Sequence, residues 1–246
     1  METCSMTDPT NPAIILERLA QIQQFPLQRG SHSENANIDA CVMEAVAYVA
    51  GEPWSDEPQC ACPVITKFMV AWNDGLNDAD RERLLKPLIP MIVGTRATAQ
   101  VEQRRASLAA DWLIRPYTPA FLRQAKLTAC ADALAKLPEI TDLTQCRAAM
   151  PALQLAKNEA EAARAAAWDA AGDAARAAAR VAAGDAAGDA AGDAARAAAG
   201  AAAGDAARAA AGAALQQTVT DLQLSAASLV QRMCQTCITG PAPSGD

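Results

Sequence analysis

Apolar residues recur at helical spacing along most of the chain. Ile15, Leu16, Leu19, Ala20 and Ile22 line one side of a first helix. Asn11-Pro12 would open it, with a capping side chain before a proline whose missing N–H costs nothing in the first turn. Phe25-Pro26 ends that stripe, and residues 28–35 read as a polar loop. Ile38, Cys41, Val42, Ala45, Val46 and Val49 form a second stripe, closed by Gly51-Glu52-Pro53. The segment from Trp54 to Pro63 is irregular and punctuated by proline. Val64, Ile65, Phe68, Met69 and Trp72 then make a third helical face, ending near Asn73-Asp74-Gly75. Asn77-Asp78 caps a fourth helix, after which Pro87 and Pro90 cap or kink the chain. The turn Val93-Gly94-Thr95-Arg96 introduces a helix of about twenty residues, expected to stop at Arg115 before Pro116. Pro119 to Lys126 and Thr128 to Leu137 are two shorter helices. No window alternates at period two with β-branched residues, so no sheet is expected. The pattern predicts an all-α multi-helix bundle.

The second half differs in kind. Between Ala160 and Ala214, 34 of 55 residues are alanine, and Gly or Arg recurs every fourth position with Asp on the next phase. Alanine is the strongest helix former, so this tract should be helical despite seven glycines. A period of four exceeds 3.6, so the polar stripe winds around the helix rather than holding one face. One continuous rod of about 80 Å and a hairpin broken near Gly184–Gly192 both satisfy the pattern. Leu215, Val219, Leu222, Leu229, Val230 and Met233 restore ordinary amphipathic spacing, which predicts a closing helix packed back on the first half. The expected organisation is an N-terminal helix and loop (1–35), a helical core (36–150), the alanine-rich repeat with its closing helix (151–239) and a tail (240–246).

Charge sharpens this picture. The 246 residues carry a formal −7. Residues 1–60 alone hold nine acids against Arg18 and Arg29, whereas residues 61–150 hold twelve bases against nine acids. Such an acidic balance argues against nucleic acid or an anionic membrane as partner. It suits a basic protein surface approaching the N-terminal end. Asp, Arg or Gly interrupts every candidate membrane span, and the segment METCSMTDPT lacks the basic start and apolar stretch of an export signal. A cytoplasmic protein is the expectation.

Candidate chemistry is sparse. The eight cysteines include Cys60-x-Cys62 and Cys234-x-x-Cys237, four thiols that could hold zinc if the two pairs met. Neither pair shows the turn glycine of a zinc knuckle, and buried free thiols account for them equally well. His32, the single histidine, lies in a polar loop where solvent exposure is expected. No nucleophile–base order, phosphate loop or metalloprotease motif is present, so neither catalytic residues nor a cofactor are expected. Polar residues in the middle of the chain, among them Arg81 and Arg105, are expected to form buried Arg–Asp networks that fix helix register. The alternative use of this region is a partner-binding groove rimmed by Trp54, Trp72 and Trp112. Its charged neighbours would be Asp56, Glu57, Asp74, Arg96, Asp111 and Arg115, because Trp and Arg are common interface anchors.

Taken together, IDACVMEAVAYVAGEPWSD, WND…DRERLLKPLIPMIVGTR, R…LAADWLIRPYTPAFLR and the Ala/Asp/Arg repeat followed by LQLSAASLVQRM carry a family likeness. Over residues 36–237 the chain resembles immunity proteins of bacterial polymorphic toxin systems, found in actinobacteria and their phages. The resemblance implies an all-α cytoplasmic protein that neutralises a toxin by binding it, with no catalytic residues. The competing expectation is a self-assembling structural protein, possible for a phage product, in which the Ala/Gly tract packs against copies of itself.

Overall fold

The computed structural model describes residues 13–34, 39–142, 145–163 and 215–236. Among them the chain is all-α, with one isolated parallel bridge between Leu27 and Ala40. The described residues fall into two compact units. One draws on Met1–Trp112, Glu139–Gln145 and Gln223–Asp246, and the other on Leu113–Pro138 and Cys146–Leu222. Most of the repeat (164–214), Asn11-Pro12 and Ile38 lie outside the described residues.

The first unit is built around one short helix. Helix α1 (Leu16–Ile22) is tied to α2 (Val42–Ala50) by the Ile15 N–H, which donates to the Val49 carbonyl at 2.9 Å. The second stripe starts its helix at Val42 because Cys41 takes an extended conformation and serves as the cap. Its Sγ accepts from the Glu44 N–H while the Glu44 carboxylate accepts from the Cys41 N–H. Every residue of α2 except Tyr48 is buried, as expected of a helix that neighbours cover on all sides. Gly51 ends α2 at φ +77°, and a Cβ there would stand 2.9 Å from Ile15 Cδ1. Conformation and space both call for glycine.

α1, α3 (Pro63–Gly75) and α5 (Ile89–Ile92) pack on α2, α6 (Ala99–Trp112) packs on α3, and α4 (Asp78–Leu85) leads through a 3₁₀ turn (Lys86–Leu88) into α5. Pro63 occupies the first turn of α3, and the Asn77 side chain accepts from the Asp80 N–H at 2.9 Å to cap α4. Pro87 and Pro90 sit in the first turns of the 3₁₀ turn and α5, where a proline removes no hydrogen bond. Ile65, Met69, Leu85, Leu88, Ile89 and Ile92 form the core with Met43 and Val46. Residues 226–233 complete it, since Ala226, Leu229, Val230 and Met233 of the closing helix are buried in the same cluster.

Inside this core the Thr66 hydroxyl has no hydrogen-bond partner among the described residues. Thr66→Val replaces an unsatisfied hydroxyl by a methyl group of the same shape. It should raise stability by about 1 kcal/mol, read as a higher urea midpoint at unchanged slope. A fall in the midpoint would show that the hydroxyl is in use.

The second unit contains α7 (Thr118–Gln124), α8 (Thr128–Ala135) and α9 (146–163), with Leu122, Ala131, Leu134 and Ala156 at its centre. Sequence reading ends a helix at Arg115. Instead the backbone widens into a π turn over Leu113–Tyr117 that contains Pro116 and leads into α7. A π turn tolerates the proline because its wider spacing relieves the clash of the ring with the preceding carbonyl. α7 closes with Lys126 at φ +63°, and the Leu127 N–H reaches back to the Leu122 carbonyl at 2.9 Å. Helix α10 (215–235) contributes residues to both units.

Candidate functional site

Two buried arginines organise the polar interior of the first unit, and backbone carbonyls rather than aspartates satisfy most of their donors. Arg81, 2% exposed, donates from Nε to the Asn73 carbonyl at 3.0 Å and from Nη2 to the Leu76 carbonyl at 2.6 Å. It also meets the Leu27 carbonyl and the exposed carboxylate of Asp78. Arg105, 3% exposed, donates from Nε to the Met233 carbonyl at 2.7 Å, from Nη1 to the Thr95 carbonyl, and from Nη2 to the Thr236 carbonyl. The expected Arg–Asp network is thus largely an arginine–carbonyl one. A planar fork with five donors suits carbonyls that splay from a helix end and the turn beside it.

A second constellation joins the loop 28–34 to the loop 52–59. Glu44, 1% exposed, accepts from the backbone N–H groups of His32 and Cys41 and lies 3.1 Å from His32 Nδ1. His32 is therefore held against a buried carboxylate rather than left in solvent, and its carbonyl accepts from Trp54 Nε1 at 2.8 Å. Trp54 is half-buried and meets Tyr48 edge-on, with ring centroids 6.2 Å apart. Arg18, a nearby base, lies over the other aromatic partner, 4.8 Å from the Tyr48 ring, and donates to the Tyr48 carbonyl. The loop 28–34 has a further anchor at Gly30, whose N–H donates to Asp74 Oδ1 at 2.9 Å. That hydrogen bond holds the Asp74 carboxyl below its ordinary pKa, with Asn73 and Arg29 acting in the same direction. A depressed carboxyl stabilises the fold above the unfolded pKa and stops doing so as pH falls through the folded value. The tether therefore persists into mildly acidic solution.

The loop 28–34, with the exposed Arg29 and Glu34, and the loop 52–59, with Trp54, Asp56 and Glu57, are tied by the Trp54–His32 hydrogen bond into one surface. Of the residues singled out from sequence, Trp54, Asp56 and Glu57 belong to this surface, and Asp74 secures the loop behind it. Sequence reasoning missed Glu34, Glu44 and His32. The spacing Cys41-x-x-Glu44 could have flagged Glu44 as a capping residue.

The remaining residues have other surroundings. Trp72 is half-buried against Phe68, which in turn meets Trp112 edge-on at 5.8 Å. Trp112 is only 8% exposed and donates from Nε1 to Ser225 Oγ, so it packs in the core instead of rimming a groove. Asp111 accepts from the Ile140 N–H at 2.9 Å. Arg96 is exposed and lies 3.7 Å from Glu102, while Arg115 stands on the π turn of the second unit.

Burial holds three of the thiols in their protonated form. Cys41, Cys60 and Cys62 are buried, and burial pushes Cys41 up to about 12 and both Cys60 and Cys234 up to about 11. Cys60, Cys62 and the half-buried Cys234 pack on the same core, and Cys237 lies outside the described residues. Among the described residues no three His, Cys, Asp or Glu side chains are placed to hold a metal ion. Nor is any described helix long and apolar enough to cross a membrane. No family model, curated protein or solved structure matches the chain.

Proposed function

We propose that this is a non-enzymatic binding protein of the immunity type, which neutralises a toxin by covering part of its surface. The observation that carries the reading is the joined pair of loops around Trp54. One carries the exposed Glu34 and Arg29, the other carries Asp56 and Glu57 beside the half-buried Trp54 in sequence, and Arg18 is engaged on Tyr48. An aromatic anchor on loops that carry three acids against Arg29 suits a basic partner surface, such as that of a nuclease, with the loop charges steering encounter more than deepening affinity. Loops fixed by Glu44 and Asp74 lose little freedom on docking, which favours a tight complex. The family likeness read from the sequence points the same way, and a cytoplasmic site of action goes with it. Self-assembly through the repeat would depend on residues outside those described.

The test is association with the protein encoded by the neighbouring reading frame. Asp56→Lys with Glu57→Lys should slow association by about tenfold at low salt, with a smaller effect at physiological salt. Association at an unchanged, salt-independent rate would refute the role assigned to these loops.

A further inference from the structure

A cleft of about 340 Å³ opens between α6 and the last turn of α10, lined by Arg104, Leu108, Arg232, Gln235 and Thr236. Arg104 and Arg232 are both exposed, and among the described residues no carboxylate forms an ion pair with either. Arg104 spends one donor on the Thr141 carbonyl at 3.1 Å, which fixes the guanidinium and leaves its other donors free for a ligand. The acids carried by α6 are directed elsewhere, Glu102 toward Arg96 and Asp111 to the Ile140 N–H. Behind the cleft lies Arg105, buried and paired only with carbonyls, one of them that of Thr236 in the cleft wall. Three guanidiniums thus gather at one end of a helix in a chain of net charge −7.

The negative end of α10 accounts for one of the three, since Arg105 already takes the Met233 and Thr236 carbonyls. The other two line the cleft with no carboxylate of the described residues paired to either. Gln235 offers an amide donor at the rim, and the Thr236 hydroxyl, now donating to the Arg232 carbonyl, can turn toward a ligand. Leu108 gives the cleft an apolar wall that strengthens charge-assisted hydrogen bonds beside it.

We propose that this cleft binds a compact polyvalent oxyanion, held between Arg104 and Arg232 with Gln235 and Thr236 as further donors. The chemistry required is a di- or trivalent phosphate or carboxylate small enough for the volume. It is independent of docking through the Trp54 loops, with which the cleft shares no residue.

Calorimetric titration of the full chain at low ionic strength, with pyrophosphate in one arm and citrate in the other, tests the assignment. Saturable binding at one site is expected in at least one arm, and the stronger arm identifies the phosphate or the polycarboxylate class. Arg104→Gln and Arg232→Gln should each weaken that binding by about tenfold or more. Arg83→Gln, at an exposed arginine paired with Asp80, should leave it unchanged. Arg232 makes no side-chain hydrogen bond to the described residues, so its variant remains informative should Arg104→Gln disturb the fold. Absence of saturable heat in both arms, or an Arg232→Gln variant that binds as well as Arg83→Gln, would overturn the proposal.

Discussion

Replacing Arg105 by methionine should lower the stability of the protein by about 2–4 kcal/mol, seen as a large fall in the urea midpoint. Methionine fills similar space, so the loss would come from hydrogen bonding rather than from a cavity. Exchanging a buried ion pair for apolar residues is often harmless because both charges leave together. Here the acceptors are the backbone carbonyls of Thr95, Met233 and Thr236, which no substitution at position 105 removes. The Thr95 carbonyl would remain inside the protein without a donor, at about 1–3 kcal/mol, while the Met233 carbonyl would keep only the Thr236 N–H at 3.2 Å. Thr95 compounds the effect, since its Oγ1 accepts from the Cys62 N–H at the start of α3. Arg105→Lys should recover part of the loss, because one ammonium cannot span carbonyls that a guanidinium reaches from separate nitrogens. A loss below 1 kcal/mol in the methionine variant would mean that the carbonyls find other donors.

Glu44→Ala should cost about 2–4 kcal/mol and do so locally. The carboxylate accepts from the His32 and Cys41 N–H groups, so its removal strips the cap from α2 and frees the loop 28–34 together. Hydrogen exchange at the His32 and Cys41 amides should accelerate well beyond the change in global stability. Because the His32 carbonyl holds Trp54, the loosened loop should also weaken partner binding through faster dissociation. Glu44→Gln, which keeps one carbonyl acceptor, should fall between the alanine variant and the parent protein. Equal protection of the His32 amide in parent and alanine variant would show that the loop is fixed by other means.

The helical fold was legible because its determinants are local. The stripes of α2 and α3, the Asn77 cap and the prolines at positions 63, 87 and 90 each act within a turn or two. Reading failed where a local rule has two outcomes. Pro116 ends an α-helix but not a π turn, and no feature within a few residues of it distinguishes the two. The proposed docking surface was half visible: Trp54, Asp56 and Glu57 are conspicuous in a proline-rich segment, while the loop of Glu34 joins theirs through the hydrogen bond between His32 and Trp54. Arg105 was recognisable as one of several central arginines, but its acceptors on Met233 and Thr236 lie 128 and 131 positions away. Spacing arguments carry no information at that range. The same applies to Trp112, whose partner Ser225 is 113 positions distant and turns an apparent interface anchor into a core residue.

The core of the first unit is completed by residues 226–233, which return to it after the entire alanine-rich stretch has passed. A chain cut short before Ala226 would lack Ala226, Leu229, Val230 and Met233 and leave that core open on one side. The first unit is therefore complete only once almost the whole polypeptide has been made.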